Sequence, residues 1–83
     1  MKNRALDEFK KHLKDEMTDM GSYMDICRMA KEDGCALEAQ AACNIAGDEK
    51  SHAEFIIHLM ERSGEDVSEY KQLLHDIEKQ YDF

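Results

Sequence analysis

The sequence predicts an all-α protein, a long antiparallel helical hairpin followed by a short C-terminal helix. The 83 residues include no proline and only four glycines, so few positions interrupt a helix. Apolar residues recur every three or four positions, which is the period of one helix face. The length suits a single domain over residues 1–83, and so small a domain often needs a partner or a metal for stability.

The first helix is expected over residues 5–33. Its apolar stripe comprises Leu6, Phe9, Leu13, Met17, Met20, Met24, Cys27 and Ala30. Gly21 and Ser22 interrupt the helix-forming residues, but the stripe stays in phase across them, which favours one helix with a kink allowed there. The helix is expected to end at the Lys31-Glu32-Asp33-Gly34 segment, with the glycine just past its last turn.

The second helix is expected over residues 36–62 and the third over residues 66–80. The stripe of the second comprises Ala39, Ala42, Ile45 or Ala46, Phe55 or Ile56, Leu59 and Met60, and that of the third comprises Val67, Tyr70, Leu74 and Ile77. Two long helices cover only one face of each other. The remaining apolar surface predicts a homodimer that forms a four-helix bundle, or a higher homo-oligomer built from such dimers.

Charge and hydropathy narrow the function classes. The net charge of −8 argues against binding to nucleic acid or to anionic lipid. The N-terminal segment MKNRALDEFKKHLKDE has no apolar signal region, and no apolar run approaches the length of a membrane span. The expected partners are cations and other proteins, and the expected compartment is the cytoplasm.

The three cysteines, Cys27, Cys35 and Cys43, contain no Cys-x-x-Cys pair. Their odd number and wide spacing argue against a disulfide scaffold and against a rubredoxin or zinc-ribbon site. They are therefore interpreted as small, buried and reduced thiols.

Three ionisable residues interrupt the apolar stripes: Glu16 in the first helix, and Glu49 and His52 in the second. If the chain reverses near Gly34, two residues whose numbers add up to about 68 lie at the same height in the hairpin. Glu16 and His52 meet this condition, and Glu49 lies one turn away on the face of His52. A buried carboxylate is costly unless it is paired or binds a metal. The three residues are therefore expected to point inward and to bind a metal ion.

The other histidines are weaker candidates, because Glu-x-x-His and its reverse arise easily by chance in so glutamate-rich a chain. His58 and His75 each precede a glutamate by three residues, but they fall off the stripes and are interpreted as solvated surface. His12 lies four residues before Glu16 on the flank of the stripe and is an alternative extra ligand.

Glu16, Tyr23 and the segment Glu49-Lys50-Ser51-His52-Ala53-Glu54 together resemble one half of a rubrerythrin-type protein of the ferritin-like di-iron carboxylate superfamily. The text MAKEDG, followed by a helix ending in DEKSHAEFIIHLMER, is similar to that family. The similarity covers about residues 13–62. The single hairpin also resembles the encapsulated ferritins, in which two chains complete one di-iron site.

The resemblance implies that each chain supplies Glu16, Glu49 and His52, and that a dimer holds two iron ions, with zinc or manganese as alternatives. It implies a bridging role for Glu49, a terminal role for Glu16, and a bond from His52 to one iron. Tyr23 is placed to hydrogen-bond a ligand carboxylate, and Asp19 and Asp48 are candidate partners of His52.

The function implied is that of an oxidoreductase using dioxygen or peroxide, with ferroxidase activity and iron handling favoured. The alternatives are a peroxide-reducing rubrerythrin-like enzyme and a non-catalytic metal-binding helical module. Encapsulated ferritins lie inside a protein shell, but the closing segment DIEKQYDF does not resemble a shell-targeting tail.

Overall fold

The structure, a computed structural model, describes residues 3–81 and contains three α-helices and no strand within that range. The helices are α1 (Arg4–Glu32), α2 (Ala36–Arg62) and α3 (Ser68–Gln80). The predicted all-helical fold is confirmed, and its dimensions are those of a long hairpin, 52 × 21 × 14 Å. The last two residues of the segment DIEKQYDF, at positions 82–83, lie outside the described range.

Local chemistry explains where α1 and α2 begin and end. Asn3 caps α1, because its side-chain oxygen accepts a hydrogen bond from the Leu6 N–H at 3.0 Å. Gly34, as predicted, follows α1 in the left-handed region at φ +74°, and the Cys35 N–H donates back to the Ala30 carbonyl at 2.8 Å. Gly64, at φ +86°, ends α2 in the same way. α1 runs without a break past Gly21.

The third helix begins at Ser68, two residues later than predicted. Asp66 accepts hydrogen bonds from the backbone N–H of Ser68 at 3.0 Å and from its hydroxyl at 2.7 Å. These bonds hold a turn before the helix, and they lower the pKa of Asp66. The sequence pattern predicts helix at this turn because Val67 is in phase with the apolar face of α3. Val67 is indeed buried, although it precedes the helix.

The buried core shows which residue of each alternative pair in the second helix points inward. Its main cluster is made of Leu6, Leu13, Met17, Met20, Ala46, Ala53, Ile56, Ile57, Met60, Val67 and Leu74. Ala46 is buried where Ile45 is not, and Ile56 is buried where Phe55 is not. Phe9, expected in the stripe of α1, is instead 40% exposed.

α3 covers only one side of the hairpin. It runs antiparallel to α2, with ion pairs from Lys71 to Glu61 at 2.7 Å and from Lys50 to Glu78 at 3.8 Å. At the end of α3, the Tyr81 hydroxyl donates to Asp25 of α1 at 2.9 Å, and this bond raises the pKa of Tyr81.

Helical spacing places five residues on the side of the hairpin away from α3. We call this side the open face; it carries Phe9, Glu16, Ile45, His52 and Phe55. The first helix contributes two of them and the second helix three.

The interpretation of all three cysteines as reduced, buried thiols is wrong. Cys27 of α1 and Cys43 of α2 form a disulfide with a Cα–Cα distance of 5.4 Å, and Cys35 is free and exposed. The reversal at Gly34 brings the two cysteines to nearly the same height. Ala30, Ala39 and Ala42 pack beside Cys27, and their small side chains let the two helices approach closely.

None of the described helices has the length and apolar character needed to cross a membrane.

Candidate metal centre

The structure brings together Glu16, Glu49 and His52. One potential ligand atom from each lies within 4.8 Å of the other two, and no other such group of three occurs within residues 3–81. α1 positions Glu16, whereas α2 presents Glu49 and His52 one turn apart on the same side. The register set by the turn at Gly34 makes the two helices meet at this height.

The three side chains lie at the edge of the core, not within it as predicted. The line of contact between α1 and α2 is filled by apolar residues such as Leu13, Ala46 and Ala53, each of which is 0% exposed. Glu16 and Glu49 are half-buried beside this line. The His52 side chain is 59% exposed, so the cluster opens towards solvent on the open face.

One oxygen of Glu16 shows why this arrangement is unusual. Glu16 Oε2 is buried and has no hydrogen-bond donor within the described chain. His52 Nδ1 lies 3.5 Å away, close enough for an electrostatic interaction if the imidazole is protonated, but without hydrogen-bond geometry. A buried carboxylate oxygen without a donor costs about 1–3 kcal/mol or more. A cation between the ligands would remove that cost.

The charges around the cluster also favour a bound cation. The Glu49 side chain forms no hydrogen bond or ion pair with any residue from 3 to 81. The next residue, Lys50, points away and pairs with Glu78 of α3 at 3.8 Å. Two half-buried carboxylates thus lie beside the His52 imidazole without a lysine or arginine ion pair among residues 3–81.

Aromatic residues form the walls of the groove above the cluster. The groove measures about 270 Å³ and is lined by Phe9, His12, Glu16, His52, Phe55 and Ile56. Periodicity alone does not predict these walls, because it places Phe9 in the core and does not distinguish Phe55 from Ile56. His12, the alternative extra ligand, lines the groove but does not belong to the group within 4.8 Å.

The other predicted site residues form no hydrogen bond with the cluster within residues 3–81. Tyr23 is half-buried and packs against the main core. Within the described residues, its hydroxyl forms no hydrogen bond to Glu16 or Glu49, and neither Asp19 nor Asp48 hydrogen-bonds His52. The supporting roles of Tyr23, Asp19 and Asp48 remain predictions.

The donor atoms fit a divalent transition metal. Carboxylate oxygens with an imidazole nitrogen suit iron, manganese and zinc, whereas calcium and magnesium prefer oxygen ligands alone. The buried Glu16 oxygen is an acceptor directed into the cluster, as metal binding requires. Three ligands leave coordination positions that another molecule can fill.

Comparison of the chain with protein-family models, with curated proteins and with solved structures found no match. Its function is therefore inferred from the residues of the site and from their place in the fold.

Proposed function

We propose that two copies of this chain pair through their open faces, bind two iron ions between them and oxidise Fe²⁺ to Fe³⁺ with dioxygen. The observation that supports this most strongly is the incomplete cluster. Glu16, Glu49 and His52 converge within 4.8 Å, yet they face solvent among exposed aromatic side chains. A ligand set in this position is suited to completion by an identical set.

The ligand count supports a pair of chains. In a two-fold symmetric dimer the same patch faces itself, so each ligand occurs twice. Four carboxylates and two imidazoles match the donors that carboxylate-rich bundles use for two iron ions. The four negative charges also balance two Fe²⁺ ions, which removes the electrostatic cost of burying the carboxylates.

The apolar residues of the open face support a second copy as the partner. Phe9 is 40% exposed, Ile45 is 39% exposed and Phe55 is 63% exposed. These side chains flank the cluster on both helices, so a copy centred on the metal ligands would cover them as well. Burial of large apolar side chains is the main source of binding energy in such interfaces.

The chain's own residues would then act as follows. Glu16, Glu49 and His52 of each copy would hold the metal ions, with the two carboxylates supplying negative charge and the imidazole a nitrogen donor. Tyr23, whose hydroxyl forms no such bond within the described residues, would orient a ligand carboxylate once metal is bound. Two bound Fe²⁺ ions, the substrate, would each give up one electron, and dioxygen would take up the pair with two protons from solvent and leave as hydrogen peroxide. The phenylalanine walls exclude water from the ligands, which strengthens their electrostatic interactions.

The disulfide bears on the proposed cytoplasmic location. Stable disulfides are rare in reducing compartments, where those that occur are usually transient and redox-active. The Cys27–Cys43 bond therefore favours either an oxidising compartment or a bond that is reduced and re-formed. Alkylation of free thiols in intact cells, followed by mass spectrometry, would distinguish these cases.

The test is dioxygen consumption by protein loaded anaerobically with Fe²⁺. We expect turnover by the native chain and none by Glu49→Ala, because this change removes a metal ligand from both halves. Glu38→Ala is the matched control, since Glu38 is an exposed glutamate of the same helix, and it should behave like the native chain. Retention of two irons per dimer by Glu49→Ala would contradict the ligand assignment. Tight zinc binding without iron oxidation would favour the non-catalytic alternative.

A further inference from the structure

A second set of metal-binding side chains lies on the opposite side of the hairpin, in the groove between α2 and α3. The groove measures about 280 Å³, and its polar lining residues are Glu54, His58, Glu61, Lys71, His75 and Glu78. These include both reversed pairs of the sequence, His58-x-x-Glu61 and His75-x-x-Glu78. The sequence predicts solvated surface for His58 and His75, whereas the docking of α3 brings both pairs into one groove.

Helix register aligns the two histidines. Glu54, His58 and Glu61 share one face of α2, because they are spaced by four and three residues. On α3, Lys71, His75 and Glu78 have the same spacing. The helices are antiparallel, and Lys71 pairs with Glu61 at 2.7 Å. His58 lies three residues before Glu61, and His75 lies four residues after Lys71. The two histidines therefore lie at the same height across the groove.

We propose that this groove binds a divalent transition-metal ion of the zinc class, with His58 and His75 as the central ligands and a glutamate of the groove as the third. Two imidazoles with a carboxylate favour Zn²⁺, Ni²⁺ or Cu²⁺ over harder ions. Because the ligands come from two helices, the metal joins α3 to α2 above the buried contact of Leu74 and Ile57. This site is separate from the Glu16 cluster and does not depend on the proposed iron chemistry.

Metal binding in this groove requires the ligand side chains to move closer together. Its ligand atoms are not gathered within 4.8 Å, unlike those of the Glu16 cluster. Glu61 is held by Lys71 and Glu78 by Lys50, whereas both histidines are exposed and can rotate towards each other. Glu54 forms no ion pair within the described chain, and it is the glutamate we assign as the third ligand.

The test uses Zn²⁺ alone and a background variant, Glu16→Ala with Glu49→Ala and His52→Ala, in which the first cluster is removed. We expect this variant to bind one Zn²⁺ per chain in equilibrium dialysis with elemental analysis. Adding His58→Ala or His75→Ala should each weaken binding about a hundredfold, since the loss of even an outer partner costs about 10–100-fold. Adding His12→Ala, which removes a histidine on α1 outside the groove, should leave the affinity unchanged.

Circular dichroism of each variant confirms that helix content is retained, which is expected because both histidines are exposed. A Co²⁺ titration gives a second readout, because the visible absorption of the bound ion reports nitrogen and oxygen ligands directly. A background variant that binds no Zn²⁺ would overturn the proposal. So would Zn²⁺ binding that persists unchanged after both His58→Ala and His75→Ala.

Discussion

The two sides of the hairpin differ in how far their apolar side chains are buried and in whether their carboxylates are paired. On the side that α3 covers, Leu74 and Val67 are buried, and Glu61, Glu65 and Glu78 each pair with a lysine. On the open face, Phe9 and Phe55 remain exposed, and a buried oxygen of Glu16 has no donor among residues 3–81. The same two helices thus have one side whose apolar residues are covered by α3 and one side whose apolar residues are uncovered.

The contrast indicates what is missing from the open face. A surface helix normally directs charged side chains to solvent and apolar ones inward. The open face instead mixes exposed aromatic residues with half-buried carboxylates, a combination that is stable only when it is covered and its charge is neutralised. A second copy of the chain and metal ions would satisfy both needs.

The open face should be the easier side to disrupt by a single charge. Phe55→Glu places a carboxylate in the proposed interface twice, once per copy. From the burial of two phenylalanines, we expect a loss of about 2–4 kcal/mol, or roughly 30- to 700-fold in the dimer dissociation constant. Sedimentation equilibrium measures this constant. Leu73→Glu, which alters an exposed leucine of α3, is the control and should leave dimerisation intact.

The disulfide near the turn is expected to affect the stability of the hairpin but not the geometry of the metal ligands. Cys43→Ser opens a loop with a sequence separation of 16, so we expect the free energy of unfolding to fall by about 3 kcal/mol. Metal stoichiometry should not change, because Leu13, Met20 and Ile56 hold the helices together at the cluster.

Urea denaturation with a parallel metal analysis checks both parts of this prediction. Cys35→Ser is the control, since Cys35 is free and exposed, and its stability should match the native chain. Loss of metal in Cys43→Ser would show that the disulfide, and not the core, sets the register of the ligands.

The unsatisfied carboxylate predicts a conflict between stability and function. Glu16→Leu removes a buried oxygen without a donor, so the metal-free protein should gain about 1 kcal/mol in unfolding free energy while losing paired-metal binding. Urea midpoints of chelator-treated protein measure the gain. Glu8→Leu, at an exposed residue that pairs with Lys11, should change stability by less than about 0.5 kcal/mol. A destabilised Glu16→Leu protein would mean that Glu16 stabilises the metal-free fold.

Acid should loosen the covered side first. The hydrogen bond from Lys71 is the main cause that lowers the pKa of Glu61, and the bonds from Ser68 lower that of Asp66. A carboxylate with a lowered pKa in the folded state stabilises the fold above its unfolded pKa, about 4, and loses that contribution as the pH falls through the folded pKa. Because both groups are exposed, the effect is small.

Hydrogen exchange of α3 amides, measured from pH 6 down to about pH 3 after correction for the intrinsic rate, follows this loosening. Lys71→Met should remove most of the part due to Glu61. Equal acid sensitivity of the native chain and Lys71→Met would contradict the assigned cause.

Much of the fold could be predicted because helix periodicity and the glycine at position 34 are local signals. A reversal at Gly34 also predicts that residues whose numbers add up to about 68, such as Glu16 and His52, lie at the same height. Neighbouring residues on one helix differ by only about 100°, so periodicity could not decide whether Phe55 or Ile56 is buried. The spacing of cysteines along the chain does not reveal the disulfide, although the reversal at Gly34 places Cys27 and Cys43 at nearly the same height. His58 and His75 face each other only because of the way α3 docks on α2, and the periodicity of a single helix does not fix that docking.

The most direct test of the central claim is the mass and metal content of the same particle, measured by native mass spectrometry after anaerobic loading with Fe²⁺. We predict a dimer with two iron ions, which becomes a metal-free dimer in Glu49→Ala. A monomer without bound metal, or a single chain that holds both ions, would contradict the claim that each copy carries half of the site.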